Sequence, residues 1–491
     1  MTSGTCPERS TEPPLLAGSA IGTATPTGAG TVMTTAMHPT HRPPIPGDSD
    51  RADRGLHPGP IRRIIAGSLL TGLVAAAVLT IVVFGGADEY VITGTALIGF
   101  ALGWAMLAVL SMRMTDQPQR WAFVAAAVMA ATGLGLLVLA PGDAGLTSAG
   151  WVWPPVLLAL AIWMGLRVHR CLAAGSGRWL LYPVVAVMAA AAVGGAFETV
   201  ALTSDERSYA MPGQLYDVGG YRLHLDCTGS GGPTVVLLSG LGEFSPSWAR
   251  IVPAVAASTR VCAYDRAGQG WSEDAPQLQD GVRAAADLHT LLDRAGEDGP
   301  YVLVGHSIGG SYAMTYAARY PEQVAGMVLL DASDPYQATA ADSAAEPNAP
   351  ALLALTPSLA RLGIGQLAQS SSGLPEPAAG QFQAFGSSPR GWRNGAEESA
   401  TMRALFSQSQ ALTTLGSTPL VVLTASESVQ TINGWTAVQD RMAALSTNSS
   451  HLAADSTHVG LLADEQGAEM SADAIEDVVQ AVITGSPLRA T

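Results

Sequence analysis

Residues 301–314, YVLVGHSIGGSYAM, decide how the second half of this chain folds. Residues 301–304 are typical of a short buried strand, and the small residues that follow position 309 are typical of a closely packed helix. Between them, Gly305-His306-Ser307-Ile308-Gly309 fits the pattern GxSxG. The two outer glycines allow a strand-to-helix turn so tight that larger side chains would collide. We therefore expect Ser307 on a strained turn that holds its hydroxyl clear of the backbone.

Strands and helices alternate on both sides of this turn, which predicts an α/β class with a mostly parallel sheet flanked by helices. The predicted strands are 221–226, 234–238, 260–264, 301–304, 324–330, 419–423 and 451–454, and the predicted helices are 280–294, 310–320, 435–445 and 472–483. Residues 335–413 lack this alternation and are rich in Ala, Ser, Gly and Pro. We interpret them as an insert in the α/β domain.

Five segments together resemble the α/β-hydrolase superfamily, and the resemblance covers residues 214–483. They are GHSIG (305–309), VVLLSGLG (235–242), YDRAGQGWS (264–272), MVLLDAS (327–333) and STH (456–458). The resemblance implies an eight-stranded, mostly parallel sheet with a helical cap at about 335–413. It also implies a serine nucleophile, a carboxylate and a histidine base, in that chain order. Serine at the turn argues against the dehalogenases and epoxide hydrolases of this fold, which use aspartate there.

The nucleophile and the base follow from this resemblance. A hydroxyl is a poor nucleophile until an adjacent imidazole removes its proton, so Ser307 needs a histidine partner. His458 follows the last predicted strand, in a position similar to the family's Gly-His, and is the expected base. His451 is the competing candidate, but it starts that strand. His306, inside the turn itself, is expected to pack beside the nucleophile.

The carboxylate departs from the commonest family pattern. Many relatives place an aspartate just after the strand equivalent to 419–423, where this chain offers Glu427. Other relatives carry the acid one strand earlier, where Asp331 ends the predicted strand 324–330. We prefer Asp331, because the ends of neighbouring parallel strands lie close together and it could orient the imidazole. Glu427 is the alternative acid, and Asp334 is a minor option.

The resemblance also implies an oxyanion hole and leaves a cysteine pair open. The expected donors are the backbone amides of Leu241 and Ile308. Cys227 and Cys262 lie on strands that are neighbours in the family's sheet order. Both a disulfide and two buried thiols are compatible with that position.

The first half of the chain has a different character. Hydrophobic residues make up 48% of the 491 residues and charged residues only 13%, which is too apolar for an ordinary soluble enzyme of this size. Five apolar runs, each about as long as a helix that crosses a bilayer, occupy residues 64–86, 91–112, 121–140, 151–166 and 179–202. We therefore predict a tail at 1–61 that is disordered by composition, a five-span helical bundle at 62–202, and the α/β domain at 203–491.

Arginine placement predicts the orientation of the spans, because cytoplasmic loops retain positive charge. Arginines stand before the first span (51, 54, 62 and 63), between the second and third (113 and 120), and between the fourth and fifth (167, 170 and 178). The other two loops contain none. We expect a cytoplasmic N-terminus and a hydrolase domain outside the cytoplasm, attached to a cell membrane.

These observations favour a membrane-anchored serine hydrolase that cleaves ester or related acyl bonds of a small molecule. Aminopeptidase-like and acyltransferase activities, or an inactive hydrolase-fold binding module, are the alternatives. The chain has 25 basic residues and a net charge of −15, with no basic cluster, which argues against nucleic-acid binding. The four cysteines show no CxxC spacing, so no metal site is expected, and no cofactor is expected.

Overall fold

The computed structural model describes residues 59–172, 177–336, 349–367 and 372–488. The predicted tail at 1–61 therefore lies outside the described residues, apart from its last three. In the described part of the chain, six helices precede the sheet: α1 (Gly59–Ala77, continued by a π-helical segment Val78–Val83), α2 (Glu89–Met114), α3 (Ala122–Leu139), α4 (Asp143–Ala149), α5 (Trp153–Cys171) and α6 (Arg178–Ser208). Helix α6 continues past residue 202, the predicted end of the bundle.

Four of these helices are long and apolar enough to cross a membrane, against the five spans that the sequence predicts. A fifth is reached only if α4 and α5, which bend by 48° at their junction, count as one span. Glycines let the first three helices approach closely. A Cβ at Gly99 would lie 2.4 Å from the backbone nitrogen of Ala76, and one at Gly133 would lie 2.6 Å from the carbonyl oxygen of Gly94. The helices therefore pack with their backbones nearly in contact.

Eight strands form one sheet in the order β1-β2-β4-β3-β5-β6-β7-β8. They are β1 (Gln214–Asp217), β2 (Arg222–Thr228), β3 (Val235–Leu238), β4 (Val261–Tyr264), β5 (Tyr301–His306), β6 (Val324–Leu330), β7 (Leu420–Ala425) and β8 (Ser449–Ala454). Strand β2 pairs antiparallel with both β1 and β4, whereas the pairs from β4 to β8 are parallel. The sheet is therefore mixed, and the expectation of a mostly parallel sheet is wrong. The tight turn at Gly219 and Gly220 joins β1 to β2, and a connection this short permits only antiparallel pairing.

Successive side chains of the central strands point to opposite faces of the sheet, and each face is covered by helices. On one face, Val236, Leu303 and Leu329 pack against α8 (Gly281–Ala295) and α9 (Ile308–Arg319). On the other face, Val302, Val328 and Val421 pack against α7 (Val252–Val255), α17 (Gly460–Ala463) and α18 (Glu465–Thr484). The remaining helices of this domain are α15 (Ser426–Thr431) and α16 (Trp435–Ala443), with 3₁₀ turns at Ser245–Trp248 and Pro321–Gln323. Cys227 and Cys262 face each other on β2 and β4 and form a disulfide.

The described part of the predicted insert, between β6 and β7, is helical. It contains α10 (Ala349–Leu353), α11 (Thr356–Ala360), α12 (Ile364–Leu367), α13 (Ala378–Ser387) and α14 (Pro389–Ser409). We call α10 to α14 the cap. It contacts the N-terminal helices as well as the α/β domain: the hydroxyls of Ser358 and Thr93 lie 2.8 Å apart, and Arg361 binds Glu89 and Asp143.

Candidate active site

The turn predicted around Ser307 is present between β5 and α9. Ser307 takes φ 54° and ψ −126°, in the left-handed region that non-glycine residues rarely adopt. The flanking glycines are required by contact: a Cβ at Gly305 would lie 2.5 Å from the Cα of Gly310, and one at Gly309 would lie 2.0 Å from the carbonyl oxygen of Leu238. The half-buried Ser307 is thus held at the carboxyl end of a central strand.

The structure brings His458 and Asp331 together at the same edge of the sheet. His458 lies in the loop after β8, and its Nδ1 is 2.6 Å from Oδ2 of Asp331. Asp331 follows β6, is completely buried, and has φ 41°. The side chain of His458 is 34% exposed. An imidazole whose Nδ1 is held by a carboxylate presents Nε2 as the free nitrogen, which is the arrangement a general base needs.

Three further groups fix the Asp331 carboxylate. Its oxygens accept hydrogen bonds from Nε1 of Trp435 (2.7 Å), from the backbone N–H of Ala425 (3.3 Å) and from the hydroxyl of Ser428. Burial opposes ionisation, but the hydrogen bonds from His458, Ser428 and Trp435 outweigh it and lower the pKa of Asp331. Asp331 is therefore held as a carboxylate, able to stabilise a positive charge on the imidazole. The sequence does not predict the roles of Trp435 and Ser428, because no motif indicates that α15 and α16 lie over Asp331.

The other candidates point elsewhere. Glu427 is exposed and accepts a hydrogen bond from the backbone N–H of His458, at 2.9 Å, rather than from its ring. Asp334 pairs with Arg441 at 2.9 Å. The ring of His451 lies between the hydroxyl of Thr424 and the carboxylate of Asp440, with both distances 2.7 Å. Among the candidate acids, only Asp331 contacts the imidazole of His458 within the residues described here.

The loop after β3 lies against Ser307. A Cβ at Gly240 would be 3.1 Å from the Cβ of Ser307. Within the described ranges, neither the backbone N–H of Leu241 nor that of Ile308 donates a hydrogen bond to another protein group, and Ser307 Oγ makes none either. The two amides expected to form the oxyanion hole are therefore unengaged, and so is the hydroxyl.

A second histidine–carboxylate pair, absent from the sequence-based prediction, lies beside these residues. Nδ1 of the buried His306 is 2.9 Å from Oε2 of Glu243, and its Nε2 is 3.0 Å from the backbone oxygen of His458. The same Glu243 oxygen accepts the N–H of Gly240 at 2.7 Å. Burial disfavours the charged ring, but Glu243 more than offsets this and raises the pKa of His306. Because both ring nitrogens face acceptors, a doubly protonated ring satisfies both contacts.

The His306–Glu243 pair thus joins the loop that carries His458 to the loop that carries Leu241. Its one sequence signal is Glu243 itself, a charged residue within an otherwise apolar and small segment. The rings of His306 and His458 lie 4.6 Å apart, centroid to centroid. The expectation that His306 packs beside the site agrees with this position.

Arg266 braces the same loop and connects it to the cap. Its guanidinium, which is 4% exposed, donates to the carbonyl oxygens of Ser239 and Gly240, at 2.6 and 2.8 Å, and lies over the ring of Tyr312. On its other side it donates to Oε1 of Glu398, on the cap helix α14, at 2.8 Å. The other oxygen of Glu398 accepts from the N–H of Gly242 at 3.3 Å. The cap is therefore bonded to the segment that surrounds Leu241.

One group of side chains in the described part of the chain lies close enough together to suggest a metal: Cys227, Cys262 and Glu297. The two sulfurs are bonded to each other, and the Glu297 carboxylate holds Arg260 at 2.5 Å. This chemistry does not suit a metal, because a thiolate ligand must be free.

Comparison with known proteins agrees with this architecture. Residues 233–361 match the family model described as the alpha/beta hydrolase fold. A lipase, LipV of Mycobacterium tuberculosis, is 41% identical over 110 residues, which are 22% of this chain and 41% of LipV. The 2-hydroxy-6-oxononadienedioate/2-hydroxy-6-oxononatrienedioate hydrolase of Paraburkholderia xenovorans is 35% identical over 119 residues, 23% of this chain and 40% of that enzyme. Each match spans less than half of the relative's own length.

Among solved structures, a thermophilic esterase from Thermogutta terrifontis has a TM-score of 0.42 and 21% identity, and the match covers 55% of this chain and 99% of the esterase. The family match contains the strand, turn and helix around Ser307 as well as Asp331. With its eight-stranded sheet and the serine turn after β5, the second half of this chain has the alpha/beta hydrolase fold that the family model describes.

Proposed function

We propose that this chain is a membrane-anchored serine hydrolase that cleaves carboxylic esters through an acyl-enzyme. Ser307 is the nucleophile, His458 the base, and Asp331 the acid that orients it. The observation that carries the proposal is the 2.6 Å contact between His458 Nδ1 and Asp331 Oδ2, at the same edge of the sheet as the turn that holds Ser307 at φ 54°. A relative named as a lipase supports hydrolysis of an acyl compound.

The proposed reaction has two halves. His458 Nε2 removes the proton of Ser307 as its oxygen attacks the ester carbonyl, and the N–H groups of Leu241 and Ile308 bind the resulting oxyanion. His458 then gives that proton to the leaving alkoxide, and an alcohol departs from the acyl-enzyme. Water, deprotonated by His458, attacks the acyl carbon in the second half, releasing the acid and the serine. Asp331 stabilises the imidazolium in both halves.

Aminopeptidase-like activity would need acidic groups in the cap that are free to bind a substrate amine. The cap carboxylate bonded to the loop that carries Leu241 is already engaged, because Glu398 binds Arg266. This pairing favours an ester over an amino-acyl substrate. Acyl transfer is the second candidate. It uses the same acyl-enzyme with an alcohol in place of water, and the Ser307 hydroxyl and the N–H groups of Leu241 and Ile308 would play the same roles with either acceptor.

We further propose that four or five helices span a cell membrane, with the N-terminus in the cytoplasm and the hydrolase domain outside. Arginine placement carries the orientation. The cap supports it, because Arg361 binds Glu89 and Asp143, the helix residues that directly follow the two loops without arginine. Those loops, the cap and the end of α6 are then on one side of the bilayer. The disulfides do not show on which side of the membrane the hydrolase domain lies, because Cys171, at the opposite end of the spans, is disulfide-bonded as well.

The direct test of activity uses the full chain in detergent or nanodiscs with p-nitrophenyl esters of increasing chain length and amino-acyl p-nitroanilides. We expect ester hydrolysis by the wild type and a loss of about three orders of magnitude or more in kcat for Ser307→Ala. Equal rates for the two proteins would refute the proposal, and a preference for the anilides would favour the aminopeptidase. An alkaline phosphatase fused after the last residue tests the orientation, since it is active only outside the cytoplasm.

A further inference from the structure

The first three cap helices, α10 to α12, rest on the N-terminal helices rather than on the sheet. A Cβ at Gly85, just after the π-helical end of α1, would lie 2.8 Å from the Cβ of Ala351. The carbonyl oxygen of Leu362 would lie 2.1 Å from a Cβ at Gly194, in α6. Arg361, between α11 and α12, is paired with Glu89 and Asp143 at 2.5 and 2.7 Å. The cap is therefore attached to the end of α1, to the first residues of α2 and α4, and to α6.

On the topology proposed above, these contacts lie at one level, where the spans leave the bilayer core. Glu89 is the first residue of α2, and Asp143 is the first residue of α4. Glu198 lies 20 residues after Arg178, the start of α6 (198 − 178 = 20). At 1.5 Å per residue this is a rise of about 30 Å, the thickness of the hydrocarbon core. Glu89, Asp143 and Glu198 thus mark the same boundary of the proposed hydrocarbon core, and the cap segment around Arg361 lies beside these three carboxylates.

The cap presents an apolar edge at this boundary. Large apolar side chains of α10 to α12 are exposed at Leu352, Leu353, Leu359, Ile364 and Leu367, the last of these by 86%. We call these five residues the cap edge. Exposed apolar side chains in such a group are costly in water but suit a lipid surface, and the helices that α10 to α12 contact also expose large apolar side chains.

A series of contacts that ends in three aromatic rings leads from the cap edge to the site. Helix α12 packs on α13 through Gly365, where a Cβ would meet the carbonyl oxygen of Ser387 at 2.0 Å. The rings of Phe382 and Phe385, on α13, lie 5.9 and 4.9 Å from that of Phe244. Phe244 follows the loop that carries Leu241, whose own side chain is exposed beside the proposed oxyanion hole.

We propose that the cap edge lies in the outer leaflet and that the substrate is a membrane-resident ester with a long acyl chain, which reaches Ser307 across α12 and α13. This inference rests on the proposed function, since it names the substrate class of the same site. The reaction is the hydrolysis written above, with a bilayer lipid as the acyl donor and water as the acceptor. The Arg361 ion pairs hold the cap edge at the depth where ester groups of lipids lie.

The test compares two esters of one fluorophore on the full chain in lipid nanodiscs: 4-methylumbelliferyl butyrate, which stays in water, and 4-methylumbelliferyl oleate, which partitions into the bilayer. The measured quantity is the ratio of kcat/KM for the oleate to that for the butyrate. In the double variant Leu359→Asn, Leu367→Asn we expect this ratio to fall about tenfold, because polar side chains withdraw the edge from the lipid. The ratio is independent of the folded fraction, since the same molecules cleave both esters.

Leu278→Asn is the matched control, because Leu278 is similarly exposed but lies outside the cap, in the segment before α8. We expect its ratio to equal that of the wild type. An unchanged ratio in the double variant, or an equal fall in the control, would overturn the lipid proposal. A wild type that cleaves the butyrate but not the oleate would also overturn it and leave the proposed function standing. A wild type inert towards both esters would instead refute the proposed function.

Discussion

Removing the carboxylate of Glu398 should strongly destabilise the hydrolase domain, because it leaves a buried cation without its counterion. Glu398 and Arg266 are 7% and 4% exposed, and Glu398 is the one carboxylate that contacts this guanidinium among the described residues. Burial opposes the charge on Arg266, but Glu398 outweighs it and raises the pKa of Arg266. In Glu398→Ala, the cation stays buried with two carbonyl oxygens and the ring of Tyr312 as partners, and without a counterion.

An unpaired buried charge of this kind costs about 3–5 kcal/mol. Loss of the hydrogen bond from Gln269 to Glu398, at 3.1 Å, favours the upper end of that range. For a domain of this size each kcal/mol lowers the melting temperature by about 2–4 °C, so we expect a fall of roughly ten degrees or more. Activity should fall as well, because Arg266 holds the carbonyl oxygens of Ser239 and Gly240 next to Leu241.

The assay is thermal unfolding of the full chain in detergent, followed by tryptophan fluorescence. Glu397→Ala is the matched control: it makes the same change on the same helix at a side chain that is 45% exposed and 3.7 Å from Arg393. A pair this exposed and this distant contributes little, so the control should melt with the wild type. If Glu398→Ala melted at the same temperature as Glu397→Ala, the carboxylate would not be holding the buried cation, and the described link between cap and loop would be wrong.

Three further changes have defined outcomes. Gly309→Ala places a Cβ 2.0 Å from the carbonyl oxygen of Leu238, so the turn cannot form, and we expect no folded protein by gel filtration; soluble active protein would contradict this. Asp331→Asn should fold but lower kcat by about 10⁴, since the amide cannot hold the imidazole in the reactive tautomer; a loss below tenfold, measured on p-nitrophenyl butyrate, would point to Glu427 instead. The pKa of His306 is raised in the folded protein. Its pair with Glu243 therefore stabilises the fold fully below about pH 6.5, the pKa of an unperturbed histidine, and this stabilisation is lost as the pH rises through the pKa of His306 in the folded protein. The melting temperature of the wild type should therefore fall as the pH rises above about 6.5, and that of Glu243→Gln should change less. Parallel curves of melting temperature against pH for the two proteins would exclude the pair as the cause.

The serine turn could be predicted from the sequence because its constraints are local. Gly305 and Gly309 contact backbone atoms within the turn and on the adjacent strand, so the pattern carries its own geometric requirement. The preference for Asp331 over Glu427 rested on the neighbouring strand ends of a sheet, and the contact with His458 follows that reasoning. Both cases depend on the regular geometry of strands.

The features that were missed depend on loops and on the cap. Glu243 reaches His306 across 63 residues, and Glu398 reaches Arg266 across 132, through segments whose conformations follow no period. Strand β1 is four residues long and half exposed, so it shows no alternation that would mark it. Its short hairpin to β2 makes the sheet mixed, which a pattern of alternating strands and helices could not indicate.

The assignment of Ser307 as nucleophile is tested most directly by its covalent capture. The full chain is treated with a fluorophosphonate, digested, and the modified peptide is identified by mass spectrometry. The serine held at φ 54° beside two unengaged backbone amides should carry about one phosphonyl group per chain, and Ser307→Ala should carry none. A folded chain that hydrolyses esters yet carries the adduct on another residue, or carries no adduct, would contradict the account.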